Sequence, residues 1–179
     1  DNACDAKRKN ETKVKVSFFL SGEKHALKKD KYNLYFDNEL FEHLKKKENY
    51  PDDILKDDKS RMPYMLVEDF NTTGLAGGIN EKGSRSRIFW RTFGETSEGA
   101  GTKGQYGYGK TIFWKLSRIC AIVGLSVCKE KKILFGRALT NSYTHNDAEY
   151  TNSLFFGSDN QNSRTEPITD EQELNDFIK

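Results

Sequence analysis

Little in this chain can be paired. The three cysteines, Cys4, Cys120 and Cys128, give an odd count with no C-x-x-C spacing, which argues against a disulfide framework or a thiolate metal knot. Cys120 and Cys128 sit in apolar runs and read as buried free thiols of a reducing compartment. The three histidines, His25, His43 and His145, are too scattered for a metal pair. No apolar run approaches the roughly 18 residues of a membrane helix, and no leader pattern opens the sequence. The expectation is a soluble, cytoplasmic protein with no membrane partner. Charge of one sign is not in excess either, with 29 Lys or Arg against 27 Asp or Glu and a formal net charge of +2. That balance argues against a surface dedicated to nucleic acid, short of a local patch. Internal repeats and low-complexity tracts are absent.

Aromatic residues are plentiful. Twelve Phe and eight Tyr in 179 residues can fill one hydrophobic core, which implies a single domain over 1–179. Asp1 to Lys7 reads as the middle of a helix, so the chain is expected to be part of a longer one. Lys13 to Phe19 alternates, with Val14, Val16 and Phe18 on one side, and predicts a half-buried strand. Ser21 to Lys31 reads as a basic loop or hairpin end. Asp37 can cap a short helix that turns Leu40, Phe41 and Leu44 inward and ends near Lys45, Lys46 and Lys47. Tyr50 to Arg61 reads as a linker. Met62 to Phe70 is a second strand, ending in Glu68 and Asp69. Gly83 to Arg91 is basic until Ile88-Phe89-Trp90, and Thr96 to Lys103 has the composition of a lid. Ala121 to Cys128 and Ile133 to Leu139 form a hairpin, Asn141 to Tyr150 a polar loop, and Leu154 to Phe156 a short apolar segment. Asp159 to Glu166 reads as another loop. Thr169 and Gln172 form a capping box for a last helix with Leu174, Phe177 and Ile178 inward.

The most informative stretch is Gly104-Gln-Tyr-Gly-Tyr-Gly-Lys-Thr111. Glycines at 104, 107 and 109 let backbone N–H groups converge on a ligand. An amphipathic helix follows, with Ile112, Phe113, Leu116, Ile119 and Cys120 on its inner face. A glycine run feeding a helix start is an anion site, and phosphate is the common anion. The stretch also fits G-x-x-x-x-G-K-[ST] letter for letter, which makes a P-loop NTPase using Gly104 to Thr111 one alternative. A P-loop, however, needs a buried strand before its first glycine, and Glu98 to Lys103 cannot supply one.

Three segments in order resemble a known family. Asp1-Asn-Ala-Cys-Asp-Ala resembles the N-box of the GHKL ATPases, which include gyrase B, the ninety-kilodalton heat-shock chaperones, histidine kinases and MutL. Asp69-Phe-Asn-Thr-Thr-Gly-Leu resembles their D-x-G-x-G segment, although it is one residue longer and lacks the first glycine. Gly104-Gln-Tyr-Gly-Tyr-Gly resembles their glycine-rich third motif. The resemblance implies an α/β fold of Bergerat type, a two-layer α/β sandwich in which a mixed sheet carries helices on one face. It implies ATP and Mg²⁺ as cofactors. The binding residues would be Asn2, Asp5, Ala6, Asp69, Thr73, Gly74, Leu75, Lys103, Gly104, Gln105, Tyr106, Gly107, Tyr108, Gly109, Lys110 and Thr111. Asn2 would be the metal ligand, a neutral oxygen suited to Mg²⁺ that bridges phosphates. Asp69 would accept a hydrogen bond from the adenine amino group. The family's general base, a Glu four residues before the N-box Asn, falls before Asp1, so no catalytic residue lies in this sequence. By the same resemblance the module hydrolyses ATP within a larger chaperone, repair, topoisomerase-like or defence protein, and lid closure is coupled to homodimerisation or docking on a partner. The alternative within the family is a regulatory ATP sensor without turnover.

Overall fold

The computed structural model describes residues 2–47, 61–93, 109–128, 131–159 and 165–178. Its elements run α1 (Asn2–Asp5), β1 (Lys15–Leu20), β2 (Leu27–Lys28), α2 (Lys29–Tyr32), α3 (Asn38–Leu44), β3 (Arg61–Met62), β4 (Met65–Phe70) and α4 (Arg85–Trp90). There follow α5 (Thr111–Leu116), β5 (Ala121–Val127), β6 (Lys132–Leu139), β7 (Tyr143–His145), β8 (Ala148–Tyr150), β9 (Ser153–Phe156), β10 (Ser158–Asp159), β11 (Thr165–Glu166) and α6 (Glu171–Ile178). The class is mixed α/β.

The centre is the antiparallel sheet β5–β6–β9. Ile133, Leu134, Phe135, Gly136, Arg137 and Ala138 of β6 are all buried, so both faces of the strand are covered. Alternation assigns the layers. Ala138 packs with Leu44 of α3 and Ala121, and Leu134 with Leu174 of α6 and Ile168. Phe135, on the other face, packs with Trp90 of α4 and Trp114 of α5. Helices therefore lie on both faces of this sheet, and every strand pairing among the described residues is antiparallel. Among the described residues the sheets are small and antiparallel, and a single mixed sheet with helices on one face is not seen among them.

Other expectations are corrected locally. Ile119 is buried as its spacing predicts, but beyond the helix: the chain leaves α5 at Ser117, which is extended, and Cys120, at φ +50°, is only half-buried. With so short a helix the inward residue is Trp114, while Ile112 and Leu116 are exposed. Gly83 to Arg91 contains α4, because the Ser84 hydroxyl accepts the Arg87 N–H at 3.0 Å and caps a helix start. Asn141 to Tyr150 is the hairpin β7–β8, turned by Asn146 and Asp147, both at positive φ. Ser21 to Lys31 contains β2 and enters α2. The last helix is capped by Asp170, whose Oδ1 accepts from Gln172 N and Glu173 N at 3.0 Å each, not by Thr169. Asp37 does cap α3, accepting from Leu40 N at 2.8 Å. Cys120 and Cys128 are free thiols but only half-buried. No described helix is long and apolar enough to cross a membrane.

Candidate functional site

The second segment leaves β4 at Phe70 and turns at Asn71, which adopts φ +65°. The chain before β1 comes back to it. Thr73 N–H donates to the Ala6 carbonyl at 2.8 Å, and Arg8 N–H donates to Asn71 O at 3.0 Å. Lys7 and Thr72 form an isolated antiparallel bridge, and Arg8 Nε donates to Thr72 O at 2.7 Å. The first and second segments are thus one backbone-bonded unit, with α1, the helix of Asn2 and Asp5, directly upstream of Ala6.

Gly74 is at φ +67°, and a Cβ there would meet Ser126 Oγ at 3.0 Å and the Val127 carbonyl and Cys128 Sγ at 3.1 Å each. Both the dihedral and the close approach require glycine. Leu75 N–H donates to Ser126 Oγ at 2.8 Å, so the segment is pinned to the end of β5. Arg85 of α4 is hydrogen-bonded to Thr73 Oγ1. At the far end of α4, Lys110 donates to the Ile88 carbonyl, and Arg137 Nη1 donates to Trp90 O at 2.7 Å. Cations at the C-terminal carbonyls of a helix are favourable. Through α4 the second segment is therefore linked to Lys110, the end of the glycine motif.

Asp69 pairs with Val16 across the ribbon β1–β4. Alternation puts its carboxylate on the same face as Val16, Phe18, Leu20, Met65 and Val67, all apolar. It is exposed, and none of the described groups bonds it. An unpaired carboxylate at the end of an apolar strip can accept from a planar heterocycle carrying an exocyclic amine. Thr73, Gly74 and Leu75 lie just beyond it, whereas Lys103, Gly104, Gln105, Tyr106, Gly107 and Tyr108 lie outside the described residues. Gly109 and Thr111 flank the start of α5.

Sequence reasoning missed Arg137, Arg85 and Ser126. Arg137 had a signal, being a lone cation in the apolar run Ile133 to Leu139. It is buried, donates to Ser153 Oγ at 2.7 and 3.2 Å, and lies 4.2 Å from the Phe93 ring centre. Burial first, and then the neighbouring Arg91, pull its pKa down to about 10. Lys110 Nζ stands 5.9 Å from that same ring. A cavity of about 350 Å³ is lined by Arg137 together with Tyr35, Leu40, His43 and Phe156, and none of the three segments lines it. No family model, curated protein or solved structure matches the chain.

Proposed function

We propose that this chain is a GHKL-type, ATP-binding switch module, read by Asp69 at the base and by the glycine segment at the phosphates. The observation that carries the reading is the backbone union of the first two segments, Thr73 N–H to Ala6 O. Two segments separated by more than sixty residues are joined there, which supports reading them as parts of one site. The unpaired Asp69 carboxylate on an apolar face fits adenine, whose 6-amino group donates, better than guanine, whose 6-position is a carbonyl acceptor. Among the described residues no three His, Cys, Asp or Glu side chains converge as a metal site. By the resemblance, magnesium would be carried by the nucleotide phosphates, with Asn2 as the protein's donor. In the Bergerat reading, α4 and α5 form the helix layer over the nucleotide, and α3 and α6 are additions on the opposite face. Nucleotide-dependent ordering of the glycine segment would make the contact that drives homodimerisation or docking within a larger protein.

Lys110 bears on the rival reading. A P-loop lysine must reach the β- and γ-phosphates, and here the Lys110 amine is buried and bonded to the Ile88 carbonyl. That placement counts against a phosphate role for Lys110 in either reading. The test is competition of ATP and GTP against a fluorescent nucleotide, wild type beside Asp69→Ala. Losing a hydrogen bond to a charged group costs about 1.5–3 kcal/mol, or roughly ten- to a hundredfold in affinity. The expected loss falls on ATP and abolishes the preference over GTP. Equal weakening of both nucleotides refutes the role of Asp69.

A further inference from the structure

We propose that the ribbon β1–β4 is a docking surface for single-stranded nucleic acid, on the face opposite Asp69. That face carries Lys15, Ser17 and Phe19 from β1 and Leu66, Glu68 and Phe70 from β4, by register and alternation. Phe19 and Phe70 are each more than 40% exposed. Lys15 Nζ lies over Phe70, 5.2 Å from the ring centre. Phe19 is bordered by Tyr64 at 6.0 Å and His25 at 6.4 Å. Phe70 lies across from Lys15, four positions from Phe19, so the two rings stand about 13 Å apart along the ribbon. They form a row of separate platforms, not a packed cluster.

Charge selects the partner. Residues 7 to 31 hold nine Lys or Arg against three Asp or Glu, in a chain whose net charge is only +2, and all nine are exposed. Several of them bracket the ribbon. Lys7, Arg8 and Lys9 are held at one end by the bonds to Asn71 and Thr72. Lys24, Lys28 and Arg61 lie at the other, where Ser21 N–H to Tyr64 O and the pairing of Leu27 with Met62 continue the ladder. Cations at both ends with exposed rings between them suit a polyanion whose bases are free to stack. A duplex keeps its bases stacked inside, out of reach of Phe19 and Phe70. The one carboxylate on this face is Glu68, opposite Ser17, and it would repel the phosphates.

The experiment is anisotropy of a labelled oligothymidine of about 15 nucleotides, within the range of known single-strand sites, titrated with the whole 179-residue chain at several salt concentrations. The expected result is salt-sensitive binding, stronger for the single strand than for a duplex of equal length. Phe19→Ala and Phe70→Ala should each weaken it about tenfold. Lys15→Gln should flatten the salt slope by roughly 0.7. Glu68→Gln should tighten binding, a gain that a purely structural role would not give. Should a ring variant fail to fold, the exposed Lys15 and Glu68 variants decide alone. Equal affinity for duplex and single strand, indifference to the rings, or no binding at low salt overturns the proposal. So does sedimentation showing that Phe19→Ala breaks up a dimer, which would assign the face to a second copy. None of these variants alters Asp69 or the glycine segment, so the outcome is independent of the ATP reading.

Discussion

Arg137 concentrates the electrostatic risk of the core in one side chain. Its guanidinium is buried, bonded to Trp90 O and Ser153 Oγ and faced by the rings of Phe93, Phe155 and Trp114. A lysine cannot reproduce the planar fork that reaches both acceptors. Arg137→Lys should therefore destabilise by about 3 kcal/mol, the cost of orphaned buried partners around a buried charge, read as a lower urea midpoint with an unchanged slope. At Gly74 the expected effect is different in kind. Gly74→Ala must hold φ +67° and push against the Val127 carbonyl at 3.1 Å, so it should lower stability by more than about 1 kcal/mol. It should also move the segment carrying Thr73 and Leu75. Loss of nucleotide binding in a variant that still unfolds cooperatively would mark the segment as part of the site.

The hairpin β7–β8 shows how one element depends on a titratable contact. His43 of α3 is buried, and its Nδ1 shares a hydrogen bond with Tyr143 Oη at 2.5 Å. It packs on His145 at 5.1 Å and Tyr150 at 4.6 Å between ring centres. Burial first, then His145, holds its pKa below the ordinary imidazole value, while Glu39, Asp37 and Glu42 oppose the shift. The folded state thus binds this proton less readily than the unfolded chain. Stability contributed here is present above the unfolded pKa, about 6.5, and falls as pH drops from there toward the lower folded value. Urea midpoints between pH 7.5 and pH 5.5 should fall more steeply in the wild type than in His43→Gln, and amides of the hairpin should lose protection first. On the opposite face, α5 depends on packing. Trp114 is 1% exposed and donates its indole N–H to Arg137 O at 2.9 Å. Trp114→Ala should cost about 3–5 kcal/mol, which calorimetry would record as a large drop in Tm.

At the scale of the molecule, a covered sheet and an uncovered ribbon coexist. β6 is buried on both faces, whereas Phe18 and Leu20 on β1 are 69% and 73% exposed. A two-stranded ribbon has little stability of its own. A ligand seated between Asp69 and the glycine segment would therefore act on the less stable part. Saturating Mg-ATP at a hundred times Kd should raise stability by about 2.7 kcal/mol, with hydrogen-exchange protection gained first in β1 and β4. No thermal shift at millimolar Mg-ATP would count against the nucleotide reading.

The strands β1, β4, β5 and β6 and the cap at Asp37 follow from sequence, because alternation and capping are short-range. So does the order of the three segments from which a nucleotide site is inferred. Other features needed the assembled chain. The Val14, Val16 and Phe18 side of the first strand reads as buried from its pattern. Yet Val16 and Phe18 are exposed, since alternation says which residues share a face and not whether another layer covers it. The inward residue of α5 is Trp114 because the helix stops at Leu116, before the periodicity through Ile119 can apply. Lys110 reads as a phosphate partner beside its glycines, but in space its amine donates to the end of α4, Ile88 O, 22 residues away. Local pattern determined which groups could meet a ligand. Only the long-range packing of α4 against β6 and of Ala6 against Thr73 decided which of them stand together, because those contacts join residues that no periodicity connects.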